Sequence, residues 1–437
     1  MKKSARAAAL SALERCRKSG AWSGAAIDGA IRENGLDSRD ASLAARLVLG
    51  VLQNDRYLDY YIELYSRRDL EPKLRDILRL GCFQLLFLDK IPTHAAVSET
   101  VGLCREQGLD RAAGLCNAVL RRVAENQKAL PPIPGEGTAE YLSIRWSHPR
   151  WLVDELLREH DYAFTEAFLR ENNQPAPLTI QVNRLKVSPE DYVRALQRAG
   201  IAYRDFPELP GCMELEGGRV SELPGFEDGL FYVQDRAARI AAEAALILPG
   251  MHVLDACAAP GGKSFAAAIA AKGQGDFTAC DIHEKKLRLI REGAERLGIG
   301  CIQTEARDAR RFEPAWEGAF DAVLSDVPCS GLGVIRKRPE IRRKRAEELE
   351  ELPEIQAAML ENLSRYVKPG GVLLYSTCTV LHRENRDQVR RFLSAHPDFV
   401  PEDFAFGALR SEDGCYGFWP QIDGTDGFFA AKLRRKT

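Results

Sequence analysis

The second half of the sequence alternates between short apolar runs and amphipathic segments, and this alternation restricts the possible folds more than any other feature. From Gly250 onward, "HVLDACAAPGGKSFAAAIAA" has the pattern of a strand, a glycine turn and a helix, and "GDFTACDIHEKKLRLIREGAERLG" that of a strand and a helix. Further strands are predicted in "CIQTEARDARRF", "FDAVLSDVPCSG", "GGVLLYSTCTV" and "GFFAAKLRR". Such alternation predicts a doubly wound α/β domain with a mostly parallel sheet over residues 236–437, with ligands at the carboxyl ends of the strands.

The front of the chain has helical periodicity instead. Leu58, Ile62 and Tyr65 recur at the spacing of one helix face. The stretch "ILRLGCFQLLFLDKIP" is apolar almost all round, as in a buried central helix that Pro92 would end. Residues 1–130 are therefore predicted to form an all-α bundle.

A stretch rich in proline and glycine, "LPPIPGEGT" at 130–138, is predicted to be an interdomain linker. After it, "PLTIQVNRL" predicts a strand, and "SPEDYVRALQRAGI" predicts a helix with Ser188 as its N-cap. "GLFYVQDRAARIAAEAALI" has the pattern of a strand that leads into a helix. Residues 141–235 are therefore predicted to form a small α+β linking domain.

The composition limits the possible partners. The formal charge of -2 and the pI of about 6.4 mean that any nucleic acid must bind through local basic patches. The 11 cysteines have no C-x-x-C or Cys/His spacing, which favours reduced thiols in a cytoplasmic protein without a metal site. No uncharged apolar run approaches about 18 residues, so no membrane span is expected. We expect a monomer.

The turn "LDACAAPGGKS" is the first candidate site, because glycines let a backbone approach a ligand at the N-terminus of a helix. A phosphate-binding P-loop is one interpretation, since residues 262–264 read Gly-Lys-Ser. However, Cys257 stands where the first P-loop glycine belongs, and Pro260 lacks an amide for the phosphate. A tight turn without a ligand is the remaining alternative.

Acidic residues follow the predicted strands one after another. Asp255 ends the first strand, and Asp281, Asp308 and Asp326 come at the ends of the next three. These carboxylates would repel a polyphosphate, but they suit a ligand with hydroxyls, an amine and a positive sulfonium, such as S-adenosylmethionine. Asp281 lies where an acidic residue commonly binds a ribose. Each aspartate alone could instead be a helix N-cap.

Two cysteines also stand just past apolar runs, Cys329 in "LSDVPCSGLG" and Cys378 in "YSTCTV". Carbon 5 of cytosine is a poor nucleophile until a thiolate adds to carbon 6, which is a case of covalent catalysis. One cysteine is needed for that addition, and a second could assist release. The attacking thiolate needs a lowered pKa. The alternative is that both are packing residues.

The motifs "LDACAAPGGKS", "DVPCSGLGVIRKRPEI" and "YSTCTV" resemble those of RNA (cytosine-5)-methyltransferases. The stretches "LGVLQNDRYLD", "ILRLGCFQLLFLDKIPTHAAVSETV" and "GLCNAVLRR" resemble the NusB-like RNA-binding domain at the front of some members, so that the resemblance covers nearly the whole chain. It implies a NusB-like bundle, a middle segment and a Rossmann-like methyltransferase domain. It also implies S-adenosylmethionine as cofactor and a cytosine in small-subunit ribosomal RNA as substrate. Transfer RNA or large-subunit RNA as substrate, or an RNA-binding factor without catalysis, are the alternatives.

The resemblance implies a role for each motif residue. Cys378 would be the nucleophile, Cys329 would help product release, and Asp326 would lie between the cofactor and the target base. Asp281 would hold the ribose, and Asp308 would lie near the adenine. The full set of implied cofactor-binding residues is Cys257, Ala258, Ala259, Pro260, Gly261, Gly262, Lys263, Asp281, Asp308 and Asp326. Val327 departs from the alanine common in the family, which is an apolar exchange.

A basic stretch, "IRKRPEIRRKR" at 335–345, directly follows the Cys329 motif. Phosphate contacts from this stretch could position RNA at the site. The alternative is a solvated helix face balanced by the acidic "AEELEELPE" that follows. The target cytosine must leave any base stack to reach a cysteine, so an unpaired or flipped base is expected.

Overall fold

The computed structural model describes residues 4–67 and 69–437. The helices are α1 Ala5–Ser19, α2 Ser23–Asn34, α3 Ser38–Ser66, α4 Pro72–Phe87, α5 Thr93–Glu106, α6 Ala113–Asn126, α7 Ala139–Arg145, α8 Arg150–Glu159, α9 Tyr162–Glu171, α10 Pro189–Arg198, α11 Arg236–Ala244, α12 Gly262–Ala270, α13 Glu284–Leu297, α14 Leu352–Ser364, α15 Arg386–Ala395 and α16 Pro420–Asp423. The strands are β1 Leu178–Val182, β2 Tyr203–Asp205, β3 Cys212–Leu215, β4 Phe231–Val233, β5 His252–Asp255, β6 Asp276–Asp281, β7 Ile302–Ala306, β8 Phe320–Asp326, β9 Val367–Thr377, β10 Phe399–Pro401, β11 Ala405–Phe406, β12 Leu409–Arg410, β13 Cys415–Phe418 and β14 Phe428–Arg435.

The chain folds into two compact units. The helical unit runs to Gln174 and also includes Ile335–Ala346. The sheet unit consists of Pro175–Val334 and Glu347–Thr437. Within the described residues, no helix is both long enough and apolar enough to cross a membrane.

The large sheet of the sheet unit has the strand order β10-β14-β9-β8-β5-β6-β7, with β13 paired to β14. Strands β5 to β9 run parallel to one another, and β14 is antiparallel to β9. The order reverses at β5, because β6 lies on one side of it and β8 on the other. Ligands of doubly wound sheets bind at such a reversal, so the predicted fold class is confirmed and the expected place of the site is defined.

Alternate residues of these strands supply two apolar layers, one on each face of the sheet. Val253 and Leu324 face the layer that includes residues of α11, α12 and α13. Leu254 and Val323, their neighbours in sequence, face the layer that includes residues of α14 and α15. The sheet is therefore buried between helices on both faces, which explains the nearly continuous apolar runs in its strands.

The predicted α+β segment is also present in the sheet unit. A four-stranded antiparallel sheet has the order β2-β3-β1-β4, and helix α10 packs on it through Tyr192 and Leu196. The side chain of Ser188 accepts a hydrogen bond from the amide of Asp191 at 3.1 Å, so the predicted N-cap is confirmed.

The helical unit confirms the all-α prediction for the front of the chain, with two differences. Helix α4 ends at Phe87, before Pro92, and Pro92 instead precedes α5 as its N-cap residue. The predicted linker lacks helix and strand, but it packs inside the helical unit: the Tyr61 hydroxyl donates to the carbonyl of Pro131 at 3.0 Å, and Ile133 is buried. The domain limits at 130, 141 and 235 therefore do not coincide with the packed units and stay a prediction.

The basic stretch 335–345 belongs to the helical unit, and part of it is buried there. Arg336 and Arg342 are 5% and 2% exposed, so these two side chains do not face solvent. Lys337, Arg338 and Arg345 are exposed. The stretch forms a short 3₁₀ helix, Pro339–Arg343, rather than the solvated α-helix of the alternative interpretation.

Arg342 joins three parts of the helical unit. Burial lowers its pKa to about 9, and the guanidinium donates hydrogen bonds mainly to backbone carbonyls. Its acceptors are the carbonyls of Gln53 at 2.5 Å, Ser147 at 2.9 Å and Asn172 at 3.0 Å, and Oδ1 of Asn173 at 2.6 Å. The Gln53 carbonyl lies beside Asn54, whose φ of -126° and ψ of 18° interrupt helix α3. A buried arginine thus satisfies carbonyls at a helix kink and at two loops.

We expect Arg342→Met to lower the free energy of unfolding by about 3 kcal/mol or more, because buried carbonyls lose their donor while the apolar stem is kept. Arg338→Met, in the same stretch, removes an exposed guanidinium that stacks over Trp22 and should cost about 1 kcal/mol or less. Urea unfolding of the full chain, followed by far-UV circular dichroism, measures both. Equal losses from the two variants would contradict the role of Arg342.

Candidate active site

The predicted site residues meet at one edge of the large sheet. Asp255, Asp281 and Asp326 are the last residues of β5, β6 and β8. Strand β7 ends two residues before Asp308, and β9 ends directly before Cys378. Since these strands are parallel, the structure brings the carboxylates and the cysteine to the same edge, as predicted.

The loop after β5 is held close to its neighbouring strands. The amide of Ala256 donates to the carbonyl of Leu324 at 2.9 Å, and the amide of Ala258 donates to that of Cys280 at 2.7 Å. Gly261 has a φ of 114°, and a Cβ there would lie 2.5 Å from the ring of Phe265, so only glycine fits. We call this loop, residues 257–263, the cradle. Its backbone lies at the strand reversal.

Cys257 lies in this cradle as a thiol. Burial and the nearby carboxylates of Asp255 and Asp326 raise its pKa well above the usual value. The sulfur is therefore protonated at neutral pH and is not poised as a nucleophile.

Asp281 and Asp308 have different surroundings. Asp281 is buried, and its Oδ1 accepts a hydrogen bond from the amide of His283 at 2.9 Å. Asp308 is half-buried, and Arg310 donates to its two oxygens at 3.0 and 2.8 Å, which holds the pKa of the carboxyl below its usual value. Asp281 thus presents a buried carboxylate with Lys286 Nζ at 3.9 Å, whereas Asp308 is bonded to Arg310 through both of its oxygens.

An ion pair between buried Lys263 and half-buried Asp326 lies beside the cradle. Lys263, in the first turn of α12, donates from Nζ to Oδ2 of Asp326 at 2.7 Å. The hydroxyl of Ser376, on β9, donates to Oδ1 of the same carboxylate at 2.9 Å. The ammonium also lies 4.8 Å from the ring centre of Phe428, a favourable cation–π position. Two elements, α12 and β9, therefore orient the Asp326 carboxylate through one hydrogen bond to each of its oxygens.

The two cysteines are in contact. Cys329 Sγ lies 3.2 Å from Cys378 Sγ, although the residues are 49 positions apart in sequence. Both side chains are half-buried. The hydrogen bond with Cys378 and the burial of the thiol hold the pKa of Cys329 well above its usual value. Cys329 is therefore a protonated thiol in contact with Cys378, and either sulfur can donate in this contact. The lowered pKa that is predicted for the attacking thiolate does not apply to Cys329.

Sequence reasoning missed several residues around these groups. Ser376 and Phe428 stood in stretches that were assigned only as strands. Glu384 and Asn385, buried polar neighbours in the loop after β9, were assigned no role. Their one sequence signal is a pair of polar residues soon after the threonine-cysteine motif, in "LHRENRDQV". Their contacts depend on two loops that are distant in sequence, so spacing alone could not have identified them.

A doubly wound sheet with a glycine cradle at its strand reversal and acidic residues at successive strand ends defines a domain of the methyltransferase class. Comparisons with known proteins give the family. Residues 247–434 match the model described as 16S rRNA methyltransferase RsmB/F, residues 3–125 match the NusB family, and residues 148–221 match the ferredoxin-like domain of RsmF/B-like methyltransferases. The chain belongs to the RsmB/F methyltransferase family.

Proteins similar to this chain align with it over all or most of its length. "Probable ribosomal RNA small subunit methyltransferase B" of Bacillus subtilis is 33% identical over 100% of this chain and 99% of its own. Ribosomal RNA small subunit methyltransferase B of Xanthomonas campestris pv. campestris is 36% identical over 91% of this chain and 89% of its own. The crystal structure of PH0851 is similar with a TM-score of 0.83 at 26% identity, over 100% of this chain and 99% of that one.

The buried carboxyl of Asp255 predicts how the free energy of unfolding depends on pH. Its carboxyl is buried beside the carboxylate of Asp326 and accepts a hydrogen bond from Ser264 at 2.6 Å; burial raises its pKa to about 6. Because the unfolded chain has a pKa of about 3.9 at this group, the folded state binds more protons between pH 4 and 6. Relative to Asp255→Asn, the wild type should therefore gain up to about 3 kcal/mol of unfolding free energy as pH falls from 7 to 4. Urea unfolding at several pH values measures this difference; a difference that does not change with pH would contradict the raised pKa.

Proposed function

We propose that the protein transfers a methyl group from S-adenosylmethionine to carbon 5 of a cytosine in small-subunit ribosomal RNA, through a covalent bond to Cys378. The contact between Cys329 and Cys378, at 3.2 Å, is the observation that carries this proposal. Two thiols beside a methyltransferase cradle suit a base that must be activated by addition and then released. The names of the similar proteins support the same RNA as substrate.

The cofactor would lie in the cradle at the strand reversal. The backbone of residues 257–263 would hold its methionine end, and the buried carboxylate of Asp281 would accept hydrogen bonds from the ribose hydroxyls. Asp308 would lie near the adenine, with Arg310 fixing its orientation. S-adenosylmethionine supplies the electrophilic methyl group when bound. The negative aspartates suit the positive sulfonium of this cofactor, whereas they would repel a polyphosphate.

The reaction would proceed in two halves. In the first, the Cys378 thiolate would bond to carbon 6, and the electron pair displaced to carbon 5 would take up the methyl group as its bond to the sulfonium sulfur breaks, which leaves a neutral thioether. In the second, a base removes the proton of carbon 5, and the returning electron pair breaks the sulfur–carbon bond. The protonated Cys329 is placed to hydrogen-bond the departing Cys378 sulfur. Asp326 would hold the target ring, because Lys263 and Ser376 fix both of its oxygens.

RNA would be held by the helical unit, which matches the NusB family, and by exposed parts of the basic stretch. Lys337, Arg338 and Arg345 are exposed, and phosphate contacts from these side chains would help to position the RNA. The cytosine must reach a half-buried sulfur, so an unpaired or flipped base is required.

Asp281→Ala should weaken binding of S-adenosylmethionine by about 1.5–3 kcal/mol, because the ribose hydroxyls lose a charged acceptor. Calorimetric titration of the cofactor into both proteins measures the change. Asp276→Ala, at the opposite and exposed end of the same strand β6, is a matched control and should leave the affinity unchanged. Unchanged affinity in Asp281→Ala would exclude Asp281 as the ribose ligand.

The roles of the two cysteines predict opposite behaviour on a denaturing gel. The wild type should transfer labelled methyl groups to protein-free small-subunit ribosomal RNA at a cytosine. Cys378→Ala should form neither product nor a protein–RNA adduct, because no sulfur attacks carbon 6. Cys329→Ala should form the adduct and release it slowly, so that the adduct survives electrophoresis.

Three results would contradict these roles. An adduct in Cys378→Ala would make Cys329 the nucleophile. No adduct and no loss of activity in either variant would mean that both cysteines are packing residues. Methyl groups mapped to transfer RNA or large-subunit RNA instead would retain the chemistry but change the substrate.

A further inference from the structure

Glu384 occupies a buried position between the loops that carry the two cysteines. It lies in a short 3₁₀ turn, His382–Glu384, and is 1% exposed. Its carboxyl oxygens accept hydrogen bonds from neutral donors: the amide of Ser330 at 2.9 Å, Nε2 of Gln356 at 3.0 Å and the hydroxyl of Thr379 at 3.4 Å. Burying a carboxyl group costs free energy unless its oxygens accept hydrogen bonds. These three hydrogen bonds therefore compensate for the burial of Glu384.

The first set of contacts holds the loop of Cys329 on both sides of that residue. Ser330, which follows Cys329, donates its amide to Glu384. Pro328, which precedes Cys329, accepts a hydrogen bond from Nε2 of Gln356 at 3.0 Å. Since Gln356 also donates to Glu384, the peptide groups on either side of the Cys329 sulfur share one anchor.

The second set holds the loop of Cys378 in the same manner. Asn385 accepts a hydrogen bond from the hydroxyl of Thr377 at 2.6 Å and donates to the carbonyl of Thr379 at 3.0 Å. Glu384 accepts from the hydroxyl of Thr379. The residues before and after Cys378 are thus both tied to the Glu384–Asn385 pair. The hydroxyls of Ser330 and Thr379 lie 2.6 Å apart and join the two loops directly.

We propose that Glu384, Asn385 and Gln356 form a positioning clamp that sets the separation of the two sulfurs and thereby the rates of adduct formation and release. This inference rests on the proposed covalent mechanism. Gln356 positions the Cys329 side, Asn385 positions the Cys378 side, and Glu384 connects them. None of the three touches the reacting atoms; they act through the cysteine loops.

The two sides of the clamp should affect different steps. Gln356→Ala loosens the Cys329 loop, so the adduct should form at nearly the wild-type rate and decay about tenfold more slowly. Asn385→Ala loosens the Cys378 loop, so formation should be about tenfold slower. Glu384→Ala should slow both steps. Glu384→Gln keeps a carbonyl oxygen for the donors and a polar atom for Thr379, and should restore rates close to those of the wild type.

Single-turnover reactions with small-subunit ribosomal RNA, stopped in denaturant and run on gels, measure adduct formation and decay separately. Cofactor affinity, measured by calorimetry, should be unchanged in each variant. Asn183→Ala is the matched control, because its buried amide also bridges two carbonyls, those of Gly229 and Leu297, in the same unit. It should lose stability and leave both rates unaltered.

The outcomes separate this inference from the proposed function. An adduct in Cys329→Ala, together with clamp variants that behave like Asn183→Ala, would overturn the clamp alone. Equal slowing of both steps by Gln356→Ala and Asn385→Ala would also overturn it, because the two sides would not be distinct. Absence of an adduct in every protein, Cys329→Ala included, would overturn the covalent mechanism and the clamp with it.

Discussion

The parallel pairing of β8 with β9 is the interaction on which the site depends. Its register sets Asp326 opposite Ser376, so the chains that leave the two strands enter the same space. Cys329 and Cys378 stand three and two residues beyond those paired positions. A slip of one residue in this register would turn alternate side chains to the other face of the sheet. The amide of Val327 extends the pairing by donating to the Ser376 carbonyl at 3.1 Å.

The carboxylates of the site have different partners. Lys263 forms the direct pair with Asp326, while Asp255, equally close to the cradle, is stabilised by the Ser264 hydroxyl instead. The raised pKa of Asp255 is the consequence of that arrangement, because burial outweighs a neutral hydrogen bond. Lys286 lies 3.9 Å from Asp281, and Arg310 is bonded to Asp308, so each of these carboxylates has its own cationic partner.

Much of this architecture could be predicted from local patterns. Apolar runs with glycine turns identified β5, β6, β8 and β9, and the rule for parallel sheets placed Cys329 and Cys378 near each other. The 3.2 Å contact, the hydrogen bonds of Glu384 and those of Lys263 and Ser376 to Asp326 could not be predicted, since each joins residues that are distant in sequence. The packing of the stretch 130–138 could not be predicted for a related reason: proline and glycine exclude regular structure but do not show what the chain packs against.

The basic stretch after the Cys329 motif shows why a cluster of charges in sequence is not yet a charged surface. Seven of its eleven residues are lysine or arginine, but two of these arginines are buried in the helical unit. Carbonyl dipoles, rather than carboxylates, accept most of the hydrogen bonds of Arg342, so that its positive charge is retained inside the protein. A deeply buried arginine of this kind stabilises the packing of the helical unit. Lys337, Arg338 and Arg345 have the exposure that phosphate contacts need. Within this one stretch, some residues therefore pack inside the helical unit while others form a charged surface. The stretch begins six residues after Cys329.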